Sequence, residues 1–562
     1  MKRVFTLLIT IVALGSASRA EAIAHRHMIA AANPYAAQAG LEMLRKGGSA
    51  VDAAIATQMV LTLVEPESSG IGGGAFMLLW NPVTKTLTSF DGRETAPQSV
   101  RPDMFLDAYA QPRSHGEAIP GGQSVGVPGL VAMLDKAHKK YGKLPWTVLF
   151  QPAIKLAEDG VPVTKKLANL LKAYPQVATM PDIKRYFARP DGTLMQAGDR
   201  LKNPELAASL RAIAKGGAKA FYSGAIAAAI VDKVQHAPVN QGGMTLKDLA
   251  AYRAVERKPI CGTYRVYKIC SMAPPSSGGI TVLQILAMLE RYTPQELAPG
   301  SLSEIHLFAQ ASRLAYADRG FYIGDPGFVH VPTAGLLNRS YLKSRSALID
   351  PSRDRGEAEP GTLPQRHADF GRAPSEEIAG TSHMAIVDDR GQTVSMTTTV
   401  ESVLGSQMMA KGFILNNQLT DFSFIPERDG KKVANAVAAG KRPMSSMAPS
   451  IVFDRQGKFV MAIGSPGGSA IIPYVAETLI AMLDGGLDPA RAVALPHFVM
   501  TDGPLQLEKN TALGPLAPKL EVMGYEVRAA SVETSGLHIV ERYGSGYRGA
   551  ADPRREGVAL GD

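Results

Sequence analysis

The chain has 562 residues, 45% of them hydrophobic and 20% charged, with a formal net charge of +9. These are ordinary values for a folded soluble protein, and no acidic block or low-complexity tract calls for extended disorder. The positive residues are interleaved with acids and form no basic stripe with aromatics, which excludes nucleic-acid binding and leaves a solubilising surface with mild attraction for small anions.

At the start, Met1, Lys2 and Arg3 precede an apolar run from Val4 to Gly15, then small residues with cleavage options after Ala20 and Ala22. A basic n-region, a short h-region and an A-x-A-like end predict a secretory signal over residues 1–22 and a periplasmic or secreted protein. The run is short for a bilayer span and no later stretch reaches about 18 apolar residues, so no stable membrane anchor is expected.

Residues 34–63 carry helical periodicity in two blocks, the first stopping at Gly47-Gly48 and the second starting from Ser49 as N-cap. Strand patterns follow on both sides of a turn at Asn81-Pro82. Residues 127–320 are richer in helices with charged faces and hold a hairpin at 257–270. The two cysteines, Cys261 and Cys270, lie in that hairpin. An oxidising compartment permits a bridge, but a turn over 262–265 would set Cys261 opposite Val266 and argues against one. Residues 340–379 are rich in charges, Pro and Gly and poor in aliphatics, and read as an exposed, flexible segment. Immediately afterwards the apolar period becomes two, predicting one hairpin turning at Asp389-Arg390 and a second turning near Gln456-Gly457, followed by a helix at 471–484.

Two short motifs fail on context. Gly122-Gln123-Ser124-Val125-Gly126 matches a G-x-S-x-G nucleophile elbow but lacks the buried strand before it and the helix after it. Residues 70–75 match G-x-G-x-x-A, but a strand pattern follows where a dinucleotide site requires a helix.

The junction at Gly380-Thr381, between the charged segment and a strand, is a place for chain cleavage. A freed Thr381 would carry a hydroxyl beside its own α-amine, whose reference pKa of about 7.7–8.0 leaves a usable fraction as free base near neutral pH. With the turn at 389–390, Thr398 falls opposite Thr381 and Thr399 opposite Gly380, so Thr399 lies within a residue of the nucleophile, within reach of its hydroxyl, although by spacing alone Thr397, Thr398 and Thr399 read as β-favouring strand residues. Gly467 and Gly468, before a helix, suit either an ordinary Gly-rich strand-to-helix connection or a tight turn with backbone N–H groups pointing outward, an oxyanion-hole arrangement.

Together, "VEPESSGIGGGAFM", "DGRETAP", "APPSSGGI", "TSHMAIVDDRGQTVSMTTTVES", "GFILNNQLTDFS", "KRPMSSMAPSIV", "GSPGGS" and "ADPRREG", in this order along nearly the whole mature chain, resemble the γ-glutamyltranspeptidases, members of the N-terminal-nucleophile hydrolases. The resemblance implies an α+β fold, a four-layer αββα sandwich of two stacked, mainly antiparallel sheets flanked by helices. It implies a precursor cut between Gly380 and Thr381 into a large subunit, 23–380, and a small catalytic subunit, 381–562, intertwined as a heterodimer in one domain. Thr381 then matches the nucleophile, Thr399 its assisting hydroxyl, and Gly467 and Gly468 the oxyanion-hole pair. Arg93 matches the guanidinium that grips the substrate α-carboxylate, with Ser445 and Ser446 as further donors. Asp421 matches the carboxylate that receives the α-ammonium, with Gln418 and Glu401 beside it.

The implied activity is transfer of the γ-glutamyl group of glutathione or related amides, through a threonyl ester, to water or to amino acid or dipeptide acceptors, with no metal or organic cofactor. The alternatives are a glutaryl-type β-lactam acylase on the same scaffold and a processed but inactive binding protein. Glu401 stands where some members carry Asn. The stretch between Asp421 and Ser445 is short for the family's lid and lacks Tyr, so a complete, aromatic-latched cover over the pocket is not expected.

Overall fold

A computed structural model describes residues 21–174, 179–363, 370–372, 377, 380–530 and 534–562. The predicted signal thus lies outside the described residues up to residue 20; Glu21 and Ala22 begin a strand, Glu21–Ala24, that pairs with Gly546–Ala551.

Two seven-stranded sheets organise the described chain. In the first, Thr381–Val387 lies between Met28–Ala31 and Thr393–Thr399, and the latter pairs in turn with Gly74–Asn81; every one of these pairings is antiparallel. The second is built around Ser450–Phe453, Phe459–Gly464, His538–Tyr543 and Gly546–Ala551. Strand periodicity decides the layers. Met384 and Ile386 face a core shared with the helices Pro34–Arg45 and Ala50–Val64. Ala385 and Val387, on the other face, join Ile451, Ala462 and Val540 of the second sheet. That sheet is backed by the helices Gly278–Leu289, Leu302–Tyr322 and Ile471–Leu483. The order helix, sheet, sheet, helix is the predicted αββα sandwich.

Local signals hold where they were strong. Ser49 caps the second helix through a capping box with Asp52. Ser124 is buried in a short 3₁₀ turn and donates to the carbonyls of Ile119 and Gly121, so it is no nucleophile elbow.

Three expectations need correction. The Thr381 hairpin is shifted by one residue: Thr381 pairs with Thr399, and Ser382 with Thr398. Arg390 is ill suited to the positive φ that the second position of a two-residue turn requires, whereas Gly391 (φ 75°) closes a longer loop. The Asp388 carboxylate fixes it by accepting from the N–H groups of Arg390 and Gln392, each at 2.9 Å.

The cysteines are bridged, because the second-sheet hairpin turns at Arg265-Val266 and sets Cys261 directly opposite Cys270. Distant partners fix that tip: the Arg265 guanidinium reaches Asp484 and the carbonyls of Glu290 and Tyr292.

Residues 340–379 are not uniformly exposed. Arg339–Ser346 is a helix that buries Tyr341, Leu342 and Arg345, and Glu377 is enclosed in the site described next. Residues 364–369, 373–376 and 378–379 lie outside the described residues.

Candidate active site

Thr381 opens its strand on the face that looks toward the second sheet, and only 4% of it is exposed. Its hydroxyl donates to Thr399 Oγ at 3.2 Å. Thr399 Oγ in turn donates to the Gly380 carbonyl at 2.6 Å and accepts from the Glu401 N–H at 2.8 Å. One hydroxyl therefore touches the candidate nucleophile and polarises the carbonyl of the peptide bond before it. The corrected register places it there, since Thr399 is the cross-strand partner of Thr381.

Gly380 fits where no other residue would. A Cβ there would sit 2.3 Å from the Glu401 carbonyl oxygen and 2.7 Å from the Ser402 carbonyl carbon. Gly467 (φ 139°) and Gly468 (φ 56°) turn the chain from the strand Phe459–Gly464 into the helix Ile471–Leu483, and among the described residues neither N–H meets an acceptor.

The residues expected to read a substrate head group are brought together and buried. Arg93 Nη2 donates to Asp421 Oδ2 at 2.5 Å and to the Met444 carbonyl at 2.6 Å, while its Nε reaches the Pro443 carbonyl at 3.2 Å. Gln418 Nε2 donates to the same Asp421 oxygen at 2.6 Å. Glu401 hydrogen-bonds the Asp421 carboxyl and accepts from Asn417 Nδ2. Burial disfavours charge on Arg93, but the carboxylates of Asp421, Glu94 and Glu377 outweigh it and raise its pKa. Burial raises that of Asp421, with Arg93 opposing. Glu94 is pushed up to about 8 by burial, so it is mainly protonated at neutral pH.

Ser446 offers both its N–H and its hydroxyl to the Glu377 carboxylate, each at 2.8 Å. Ser445 behaves differently: its hydroxyl accepts from the Met447 N–H and its carbonyl from the Ser277 N–H, so it braces the turn.

Three participants had been assigned no role from the sequence. Arg319, inside the helix Leu302–Tyr322, places Nη2 on Ser446 Oγ and on the Glu377 carboxylate, and Nε on Ser277 Oγ. Glu377 itself docks on Ser469 through its N–H at 3.0 Å. Arg555 donates from Nη1 to the Thr381 carbonyl at 2.9 Å. Arg319 and Glu377 sit in sequence among many similar charges and only their contacts single them out, whereas Arg555 lies in the "ADPRREG" stretch without a role of its own. The stretch after Asp421 is tied down by Phe424 stacking on Phe105, ring centroids 4.5 Å apart, and on His115.

A threonine heading an inner strand of one of two stacked antiparallel sheets, with a second threonine hydroxyl touching both it and the carbonyl just before it, defines the N-terminal-nucleophile class of hydrolases. The chain belongs to the γ-glutamyltranspeptidase family, whose description matches residues 36–562. The glutathione hydrolase proenzyme of Escherichia coli is 39% identical over 542 residues, 94% of this chain and 91% of that protein. Among solved structures, the cephalosporin acylase of Bacillus halodurans superposes with a TM-score of 0.84 at 27% identity, covering 99% of both chains. The γ-glutamyltranspeptidase of Helicobacter pylori superposes with a TM-score of 0.54 at 38% identity, over 57% of this chain and 90% of that one.

Proposed function

We propose that this chain is a γ-glutamyl transferase and hydrolase, made as a proenzyme, that acts on glutathione and related γ-glutamyl amides. In the precursor the Thr381 hydroxyl attacks the Gly380 carbonyl carbon while Thr399 stabilises the developing oxyanion. Acyl transfer to Oγ gives an ester, which water opens to leave Gly380 as a carboxylate and Thr381 with a free α-amine. The products 23–380 and 381–562 stay together as one domain, because each sheet draws strands from both.

In the mature enzyme the α-amine takes the proton of its own hydroxyl. The hydroxyl attacks the γ-carbonyl, Gly467 and Gly468 N–H groups receive the oxyanion, and the amine leaves protonated. Water, an amino acid or a dipeptide then discharges the ester. The protein is exported; signal removal after Ala20 leaves the Glu21–Ala24 pairing whole, whereas removal after Ala22 deletes two of its residues.

The observation that carries the γ-glutamyl assignment is the buried Arg93–Asp421 pair. An α-amino acid head group presents a carboxylate beside an ammonium, and this pair presents a guanidinium beside a carboxylate. A glutaryl group lacks the ammonium and would leave Asp421 without that partner. The acylase reading, favoured by the fit to the Bacillus halodurans structure, is separated on this point. Hydrogen bonds to charged groups are worth about 1.5–3 kcal/mol, so glutamyl anilide should exceed glutaryl anilide in kcat/KM by on the order of tenfold or more. Asp421→Ala should collapse glutamyl turnover and leave glutaryl turnover unchanged or improved. Equal or better glutaryl activity in the unmutated enzyme would replace the glutamyl assignment with the acylase one.

A further inference from the structure

Arg555 lies outside every motif role assigned above, yet it touches the nucleophilic residue. Its donors go to three carbonyl oxygens at 2.9 Å each: Nη1 to Thr381, Nε to Ser535 and Nη2 to Thr534. Among the described residues it makes no direct ion pair, and its nearest electrostatic counterpart is the buried carboxylate of Glu65. The carbonyl it holds belongs to the same residue whose nitrogen becomes the α-amine on cleavage. Because the N and O of one residue are covalently a few ångströms apart, that nitrogen lies near the range, roughly 4–6 Å, over which one cation disfavours a second.

The other charged groups packed around Thr381 do not supply this effect. From the segment after Ala50–Val64, Glu65 accepts from Ser382 Oγ at 2.7 Å. Glu65 and Glu67 enclose Lys166 Nζ at 2.8 and 3.0 Å, two carboxyls to one ammonium, and Arg555 is the next cation acting on Glu65. Glu556 accepts weakly from the Lys166 N–H at 3.4 Å. On the face toward the second sheet, burial holds His383 and His538 below the usual histidine range, so they are neutral. Across the hairpin, Glu401 is engaged with Asn417 and Asp421.

We propose that Arg555 is a positioning residue that pins the Thr381 backbone and keeps the α-amine released by cleavage in its neutral, proton-accepting form. A like charge at this range lowers an amine's titration midpoint by on the order of one pH unit. The free base would then predominate at neutral pH, where an ordinary α-amine, at about 7.7–8.0, is mostly protonated. The inference rests on the reading of Thr381 as an N-terminal nucleophile.

The test is competitive acetylation of the mature two-chain protein across pH, with the small chain's N-terminal peptide quantified by mass spectrometry. N-terminal sequencing comes first: a small chain that starts elsewhere refutes the nucleophile reading itself, independently of Arg555. With Thr381 at the N-terminus, the midpoint in the unmutated protein should lie below 7.7, and a midpoint at or above that value overturns the proposal. Arg555→Ala should raise it by about one unit and move the acid limb of the kcat/KM profile upward equally, with KM for the anilide little changed. Arg555→Lys, which keeps the charge and loses the fork, should fall between. An unshifted midpoint in cleaved Arg555→Ala would overturn the proposal. Should that variant remain uncleaved, the unmutated midpoint and the Arg555→Lys profile decide.

Discussion

Thr399 does two tasks with one hydroxyl, and a single substitution removes both. Thr399→Val keeps the β-branched shape but loses the bonds to Thr381 Oγ and the Gly380 carbonyl. Loss of one oxyanion donor typically costs on the order of 100-fold or more, so self-cleavage should slow by about that factor, read as the decay of intact precursor on a denaturing gel. Cleavage at the unmutated rate would show that this hydroxyl is a spectator. Gly380→Ala should also impede cleavage, for a steric reason: its Cβ collides with the backbone of Glu401 and Ser402, which has no flexible end to yield. A freely cleaving Gly380→Ala protein would contradict the tight seat.

Between the strand Phe459–Gly464 and the helix Ile471–Leu483, the Gly467-Gly468 turn depends on backbone angles that side chains resist. Gly467 sits at φ 139°, and an added Cβ would meet the Tyr474 ring at 2.8 Å. Gly467→Val should therefore depress acylation by about 3 kcal/mol, measured as the single-turnover burst in protein that has been cleaved. An undiminished burst would remove the turn from the oxyanion hole.

Elements of this kind were legible in the sequence because their signals are local: the Ser49 cap, the switch to period two after Gly380, the paired glycines. Register was not, since Gly391 rather than Asp389-Arg390 sets the loop, and one residue of slip moves Thr399 from diagonal to directly opposite Thr381. The Cys261–Cys270 bridge was missed for the same reason, its turn being fixed by Arg265 contacts distant in sequence. Arg93 and Asp421 were legible through resemblance alone; their mutual contact, and those of Arg319 and Glu377, depend on how four separate segments converge.

For the whole molecule, the inter-sheet layer carries a pH dependence. His538 is fully buried, and burial pulls its pKa from 6.5 to about 4. The fold thus favours the neutral ring, a contribution complete above pH 6.5 that is lost as pH falls toward 4, where the unfolded chain binds protons the folded one refuses. The loss amounts to about 3 kcal/mol at most. Urea unfolding between pH 7 and 4 should show stability falling through this window, with a shallower fall in His538→Gln; an unchanged slope would exclude the histidine as the cause.

The same interleaving of strands that buries His538 joins residues 23–380 to 381–562, so the halves should copurify after cleavage and part only in denaturant. The most direct measurement is N-terminal sequencing of the smaller chain from active protein, alongside Thr381→Ala prepared identically. The account predicts Thr-Ser-His-Met at the start of the small chain, and a Thr381→Ala protein that remains one chain without activity. A different N-terminus, an active uncleaved chain or an active Thr381→Ala enzyme would contradict it.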